Sequence, residues 1–114
     1  NYGHAVGDQV LKMVANTISH NIRPMDFMGR WGGEEFIVLL QNVDRAKAIS
    51  SAEKLRMLIE NSFLRTEHQN VAVTVSGGGT LIRTEDTTES LFKRVDQLLY
   101  ESKHAGRNRL TFSP

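Results

Sequence analysis

The chain has 114 residues, of which 39% are hydrophobic and 24% are charged, with a formal net charge of +1 and no cysteine. These values indicate one soluble globular domain. They argue against attraction to nucleic acid or membranes by net field, and they exclude a disulfide framework and thiolate metal ligands. No apolar run approaches the roughly 18 residues of a membrane span, and no signal peptide is visible.

Hydrophobic periodicity and turn signals predict a mixture of helices and strands. Apolar residues recur every three to four positions in the helices, and β-branched or alternating apolar residues mark the strands. Pro24 ends the first helix, Asp44 caps the second, Thr88 caps the third, and Gly106 is a natural C′ residue after it. The predicted elements, in the order α-β-β-α-β-α-β, cover residues 5–22, 26–31, 34–40, 44–61, 71–76, 88–104 and 109–112.

Two glycine clusters mark special positions of the backbone. Gly32-Gly33 joins the first two strands as a hairpin, and the second strand, apolar from Phe36 onward, suits a central position covered on both faces. Gly77-Gly78-Gly79 lies in a strand pattern, which implies a bulge or a close approach of another backbone.

The order of elements matches an α+β, ferredoxin-like βαββαβ core with its first strand removed. We therefore expect a central antiparallel sheet with flanking helices, and a missing strand just before Asn1. We also expect the chain to be a fragment of a longer protein. Loss of a central strand would expose edges that invite pairing with another chain.

Glu34 and Glu35 form the first candidate site. Adjacent carboxylates repel each other, and an apolar neighbourhood penalises their charged form. A divalent cation or a metal–polyphosphate complex removes that conflict. The alternative is a surface hairpin whose glutamates are simply solvated.

Residues near the start of the first helix form a second candidate site. Asp8 can accept from the N1–H and the exocyclic amine of a guanine, or it can improve the helix N-terminus through the dipole. His4 is more often a packed or capping histidine than a catalyst.

Four motifs in order along the chain together resemble the GGDEF family, the diguanylate cyclases. The stretch from Tyr2 through Phe36 contains the Gly-Gly-Glu-Glu-Phe variant of the family signature. Residues 52–56, Ala-Glu-Lys-Leu-Arg, resemble its second-helix pattern, and Thr74-Val75-Ser76 followed by Gly78 resembles its next strand. Residues 99–103, Leu-Tyr-Glu-Ser-Lys, with Gly106-Arg107-Asn108, resemble its C-terminal signature, so the resemblance covers nearly the whole chain.

The resemblance implies that two GTP molecules condense to cyclic di-GMP and two pyrophosphates between two domains of a homodimer. Two Mg²⁺ or Mn²⁺ ions per GTP site are implied, with Glu34 as metal ligand and general base and Glu35 as a second metal-site carboxylate. The positions that match GTP contacts are His4, Asp8, Gly32, Gly33, Lys103 and Arg107. Lys103 and Arg107, four apart on one helical face, could equally complement the helix dipole.

Arg23-Pro24-Met25-Asp26 resembles the R-x-x-D inhibitory site of the family, at which cyclic di-GMP binds. An arginine fork pairs with guanine O6 and N7, and the aspartate can accept from the other edge. Lys54 aligns roughly with a secondary basic contact. The alternative is an Arg–Asp pair that terminates a helix.

The chain departs from the family pattern in two ways. The first strand, with its metal-binding aspartate, and the following phosphate-binding loop are absent, so we expect the chain alone to be inactive or to compensate through a swapped strand. Gly77 and Gly79 stand where an apolar residue is usual.

Two further classes of function compete with a cyclase. A non-catalytic module that binds cyclic di-GMP or GTP is disfavoured because degenerate members usually lose the glutamates. A ferredoxin-like RNA-binding domain would need an exposed aromatic pair and a basic sheet on which bases could stack. The sequence lacks both features, so we expect no nucleic-acid partner. We expect a cytoplasmic domain with an upstream sensory or regulatory domain, through which the protein could be anchored to a membrane.

Overall fold

The computed structural model describes residues 3–114, with side chains from residue 5 onward. This part of the chain folds into three helices and six short strands. In chain order they are α1 (Gly3–Ser19), β1 (Phe27–Gly32), β2 (Glu35–Leu39), α2 (Arg45–Glu60), β3 (Phe63–Arg65), β4 (Asn70–Ala72), β5 (Gly77–Gly79), α3 (Thr88–His104) and β6 (Leu110–Phe112). None of these helices combines the length and apolar character needed to cross a bilayer.

The strands pair two by two. β1 pairs antiparallel with β2, β3 pairs antiparallel with β4, and β5 pairs parallel with β6. The predicted α+β class is confirmed, but within residues 3–114 the sheet is divided into three two-stranded pieces, and β2 pairs with β1 alone. The β3–β4 hairpin was not predicted, and the predicted strand 71–76 is replaced by β4 and β5. Its alternating residues Val73 and Val75 instead pack against the core.

The core lies between α1, α2 and one face of the β1–β2 hairpin. Val14 and Ile18 from α1 meet Leu55 and Ile59 from α2, and Ile59 is only 2% exposed. The partly buried side chains that pack against this cluster include Met28, Phe36 and Val38 of the hairpin. This packing fixes the face of the hairpin that meets the helices.

Helix α1 ends at Ser19, three residues before the predicted end at Ile22. The Nδ1 atom of His20 lies 2.7 Å from the carbonyl oxygen of Asn16, and the side-chain amide of Asn21 donates to the carbonyl of Thr17 at 2.7 Å. These side chains bind carbonyls of the last helical turn and so compete with continuation of the helix. The helix therefore ends before Pro24 can act on it.

The caps of α2 and α3 follow their local sequences. The carboxylate of Asp44 accepts from the backbone nitrogen of Lys47 at 2.7 Å, which confirms the predicted N-cap. The N-cap of α3 is Thr87 and not Thr88, because Thr87 and Ser90 exchange side-chain and backbone hydrogen bonds in a capping box. Gly106 follows the C-cap residue with a φ of +121°, as expected for a C′ glycine.

The three glycines of β5 reflect a close approach and not a bulge. A Cβ atom on Gly78 would lie 2.5 Å from the backbone nitrogen of Leu99 and 2.6 Å from the carbonyl oxygen of Val95, both in α3. The space beside Gly77 and Gly79 is occupied by the side chains of Leu110 and Phe112 from β6. The apolar volume that these two positions of β5 lack is thus supplied by its neighbouring strand.

Candidate functional site

The two adjacent glutamates lie at the tip and the exit of the β1–β2 hairpin. Gly32 pairs with Glu35, so the turn consists of Gly33 and Glu34, one residue later than predicted. Gly33 has a φ of +47°, a left-handed conformation that glycine adopts without steric cost. The register shifts between Arg30 and Gly32, which leaves Trp31 as the extra residue of a bulge.

Arg30 braces this turn from the first strand. Its Nε atom donates to the carbonyl oxygen of Gly33 at 2.8 Å, and its Nη2 atom donates to the same oxygen. A charged donor to a carbonyl is stronger than a neutral one, so the guanidinium holds the backbone immediately before Glu34. The sequence argument gave Arg30 no role, although it lies just before the Gly-Gly pair.

Both glutamates are exposed, as are Gly32 and Gly33. Within the described part of the chain, Glu34 and Glu35 form no salt bridge, and no three histidine, aspartate or glutamate side chains are grouped closely enough to hold a metal ion. The predicted burial penalty is therefore absent here, while the repulsion between adjacent carboxylates remains. Two free carboxylates are available at the turn for a cationic ligand.

The hairpin reaches helix α3 through an aromatic contact. The rings of Trp31 and Phe92 meet edge to face, with their centroids 4.7 Å apart and their planes at 72°. Lys103 lies eleven residues further along α3, about 16 Å along the axis at about 1.5 Å per residue. The structure thus brings the turn beside the first half of α3, with the predicted phosphate-binding residues at its far end.

Lys103 and Arg107 do not share a helical face, contrary to the prediction. Lys103 lies in the last turn of α3, whereas the helix ends at His104 and Arg107 follows it with a φ of +64°. Both side chains are exposed. Arg107 belongs to a left-handed loop, so its direction is set by that loop and not by the helix.

Asp8 is the sixth residue of α1 and is exposed. The helix begins at Gly3, so Asp8 lies beyond the first turn, where the helix dipole acts most strongly on a carboxylate. At this position the helix dipole would stabilise the Asp8 carboxylate only weakly, so the dipole does little to explain an aspartate here. The side chain of His4 lies outside the described residues.

Two open depressions in the described surface lie away from these residues. One lies on α3 beside Phe92 and Tyr100, and the other lies beside Met13 and Thr17 of α1. None of the predicted site residues lines either depression. The candidate site is therefore a set of exposed groups around a turn and a loop.

Arg23 and Asp26 form a two-point ion pair. Nε of Arg23 donates to one carboxylate oxygen of Asp26 at 3.0 Å and Nη2 donates to the other at 2.9 Å. The carboxylate also accepts from the backbone nitrogens of Arg23 at 2.9 Å and Gln41 at 3.0 Å. The hydrogen bonds from the Arg23 side chain are the main reason why the pKa of Asp26 lies well below its usual range.

This pair joins the loop before β1 to Gln41, two residues after the end of β2. The Asp26 side chain is 2% exposed, whereas that of Arg23 is 41% exposed. The alternative interpretation of the R-x-x-D pattern, an Arg–Asp pair after a helix, therefore describes the geometry in this conformation. Arg23 remains the accessible member of the predicted inhibitory site, and Lys54 is exposed on α2.

Comparison with known proteins identifies the family. The family described as "Diguanylate cyclase, GGDEF domain" matches residues 1–109. Diguanylate cyclase A of Treponema denticola is 41% identical over 113 residues, which cover 98% of this chain and 30% of that protein.

Solved structures agree with this match. A structure of the diguanylate cyclase SiaD in complex with its activator SiaC, from Pseudomonas aeruginosa, superposes with a TM-score of 0.94 at 33% identity, over 98% of this chain and 43% of that chain. The structure of the coiled coil and GGDEF domain of DgcB from Caulobacter crescentus, in complex with c-di-GMP, superposes with a TM-score of 0.91 at 31% identity. The match covers 99% of this chain and 61% of that chain. The chain spans less than a third of the curated relatives it first matches, at 30%, 16% and 24% of their lengths. It belongs to the GGDEF domain family of diguanylate cyclases.

Proposed function

We propose that this domain condenses two molecules of GTP into cyclic di-GMP and two pyrophosphates. The observation that carries the proposal is the Gly33-Glu34 turn, on which two adjacent carboxylates are exposed and held by Arg30. Family membership and the name of the Treponema relative support the same reaction.

Glu34 and Glu35 would hold the divalent ions that the family implies. Mg²⁺ and Mn²⁺ prefer oxygen ligands, and both carboxylates are free of cationic partners within the described residues. When bound, such ions neutralise phosphate charge during phosphoryl transfer. Glu34 would also accept the proton of the attacking 3′-hydroxyl, which requires that hydroxyl within hydrogen-bond reach of the carboxylate.

The remaining residues would bind and orient GTP. Asp8 would accept from guanine, and His4 is a further candidate contact. Gly32 and Gly33 would let the nucleotide approach the backbone, since neither has a side chain in the way. Lys103 and Arg107 would bind the triphosphate, Arg107 through its planar fork and Lys103 as a point charge.

The reaction requires two domains facing each other in a homodimer. Each 3′-hydroxyl oxygen would form a bond to the α-phosphorus of the GTP in the opposite domain. The bond from that phosphorus to the bridging oxygen of the β-phosphate would break, and pyrophosphate would leave. Two such steps close the ring, so holding the two nucleotides in register supplies much of the rate enhancement.

We further propose that cyclic di-GMP inhibits the enzyme through Arg23, Asp26 and Lys54. The complex of the DgcB domain with c-di-GMP supports product binding within the family. Because Asp26 is engaged by Arg23 and two backbone nitrogens, the exposed edge of Arg23 would make the first contact with guanine.

Calorimetry with cyclic di-GMP tests this inhibitory site. Arg23→Ala should abolish binding, whereas Arg65→Ala, an exposed arginine on β3, should leave it unchanged. Thermal unfolding of both variants separates lost binding from lost folding. Equal affinity in folded Arg23→Ala and wild-type protein would remove this part of the proposal.

The activity of these 114 residues by themselves is a separate proposal. We propose that the 114 residues by themselves turn over GTP slowly or not at all, because the family resemblance implies a further metal-binding aspartate that none of these residues matches. An upstream regulatory domain is also proposed, and the SiaD–SiaC complex shows that a relative has a protein activator. Equal rates of cyclic di-GMP formation by the 114 residues and by the full protein would contradict the proposal that the 114 residues are not sufficient for turnover.

A cyclase assay on the full protein tests the catalytic role of the turn. Glu34→Ala should abolish cyclic di-GMP formation from GTP and Mg²⁺, and Glu35→Ala should reduce it strongly. Glu67→Ala is the matched control, because the Glu67 side chain is 92% exposed in the β3–β4 loop. Product that persists in Glu34→Ala would contradict its role, and cyclic di-GMP binding without turnover in the wild type would favour a binding module.

A further inference from the structure

We propose that Asn108 is a positioning residue that aims Arg107 at the GTP triphosphate. The inference rests on the proposed function, in which Arg107 is a phosphate contact. It concerns a residue to which the reaction itself gives no role, and it follows from the loop after α3.

That loop holds three consecutive residues in left-handed conformations. Gly106, Arg107 and Asn108 have φ angles of +121°, +64° and +48°. Glycine adopts such angles freely and asparagine tolerates them, but arginine has no such allowance. A run of this kind persists only when surrounding contacts determine it, and strained backbone of this sort is concentrated at functional sites.

The contacts that determine the loop converge on Asn108. Its side-chain oxygen accepts from Nη1 of Arg56 at 2.8 Å, and its side-chain nitrogen donates to Glu60 at 2.6 Å. Its backbone nitrogen donates to the hydroxyl of Ser76 at 3.1 Å. Both ends of the amide are thus engaged, and they tie the loop to helix α2.

Arg56, one of the partners of Asn108, is itself held in place. The Arg56 side chain is 14% exposed and donates to carboxylate oxygens of Glu53 at 2.8 Å and of Glu60 at 3.3 Å. On the other side of the loop, the backbone nitrogen of Arg107 donates to the carbonyl of Ser102 at 3.0 Å. The backbone of Arg107 is therefore fixed between α3 and α2, while its side chain is exposed.

This arrangement separates the roles of the two residues. The oxygen and the nitrogen of the Asn108 amide are both engaged, by Arg56 and Glu60, so the residue acts on a ligand through the direction it imposes on Arg107. A displacement of a phosphate-binding group by about 1 Å can reduce a rate by about 100-fold. We therefore expect a change at Asn108 to weaken the binding of phosphates without loss of the fold.

The test exchanges the hydrogen-bonding chemistry of one pair. Asn108→Asp keeps the acceptor for Arg56 and tolerates the left-handed angle, but it sets a carboxylate against Glu60. Combining it with Glu60→Gln restores a donor, because the glutamine amide can donate to the new aspartate. Asn108→Gly removes the tether while favouring the backbone angle, so it keeps the test valid if the aspartate variant folds poorly.

Binding of a non-hydrolysable GTP analogue with Mg²⁺ to the full protein is measured by calorimetry, with thermal unfolding in parallel. Asn108→Asp and Asn108→Gly should each weaken binding by about tenfold, and the Asn108→Asp/Glu60→Gln pair should recover most of it. In an Arg107→Ala background, Asn108→Asp should add no further loss, because contacts that act through one group are not additive.

The outcomes separate the two proposals. Loss of affinity in Arg107→Ala with none in either Asn108 variant overturns the positioning role and leaves the proposed function intact. Equal further loss from Asn108→Asp in the Arg107→Ala background also overturns it, because Asn108 would then act independently of Arg107. Unchanged affinity in Arg107→Ala removes the phosphate contact itself, and the positioning role falls with it.

Discussion

Replacing Gly78 by alanine should destabilise the domain sharply, although the change adds a single methyl group. The new Cβ would lie 2.5 Å from the nitrogen of Leu99, 2.6 Å from the oxygen of Val95 and 2.8 Å from Cβ of Leu98. Unstrained contacts between such atoms lie near 3.5 Å, so α3 would have to retreat from β5 by about 1 Å. Two of the three atoms belong to the helix backbone and cannot move away by a change of rotamer.

The magnitude follows from two opposing effects. Overpacking of a core contact costs about 1–3 kcal/mol, and the upper end applies here because backbone atoms are involved. The loss of glycine's freedom in the unfolded chain offsets about 0.4–1 kcal/mol of this. The net loss is therefore about 2 kcal/mol, which for a domain of this size lowers Tm by roughly 8 °C.

Chemical and thermal denaturation of a glycine series measure this effect. Gly7→Ala is the matched control, because the exposed position in α1 has nothing within 4 Å of a new Cβ; this variant should gain about 1 kcal/mol from helix propensity. Gly77→Ala should fall between the two, since its new Cβ meets the end of the Leu110 side chain. A Gly78→Ala variant as stable as the wild type would refute the close packing of β5 on α3.

Two other predictions concern the ion pair and the hairpin turn. The depressed pKa of Asp26 contributes stability that is fully present above the ordinary carboxyl pKa of about 4 and is lost as pH falls towards the folded-state pKa. In urea denaturation, Asp26→Asn should therefore reduce the dependence of the unfolding free energy on pH below about 4. An unchanged pH dependence in Asp26→Asn would contradict this prediction. Trp31 is the single tryptophan of the chain, is 59% exposed and flanks the turn, so Mg²⁺–GTP binding should change its fluorescence. Glu34→Gln should remove that change, and a signal that persists in the variant would place the ligand elsewhere.

The sequence was informative wherever structure is decided by neighbouring residues. The helices α2 and α3, the β1–β2 hairpin and the Asp44 cap all follow from local periodicity, turn chemistry and capping. The glycines of β5 signalled a close approach, but only the fold shows that α3 is the partner. The β3–β4 hairpin escaped because its strands have three residues each, too few for a periodic pattern.

The site was less predictable because its geometry depends on longer-range contacts. The Asp26 carboxylate accepts one of its hydrogen bonds from Gln41, fifteen residues away. No local sequence pattern predicts such a bond. The four-residue spacing of Lys103 and Arg107 predicts a shared helical face only if the helix extends to Arg107, and it ends at His104, where the sequence also predicts its end. The left-handed loop that contains Arg107 is tied through Asn108 to Arg56 and Glu60, which are distant in sequence.

The most direct test of the central claim is the product that the full protein forms from GTP and Mg²⁺. Mass spectrometry should find cyclic di-GMP with two pyrophosphates released for each molecule formed, and Glu34→Gln should form neither while remaining folded. GTP left unreacted by the wild type, or the same product from Glu34→Gln, would contradict the claim that the Gly33-Glu34 turn carries a diguanylate cyclase site.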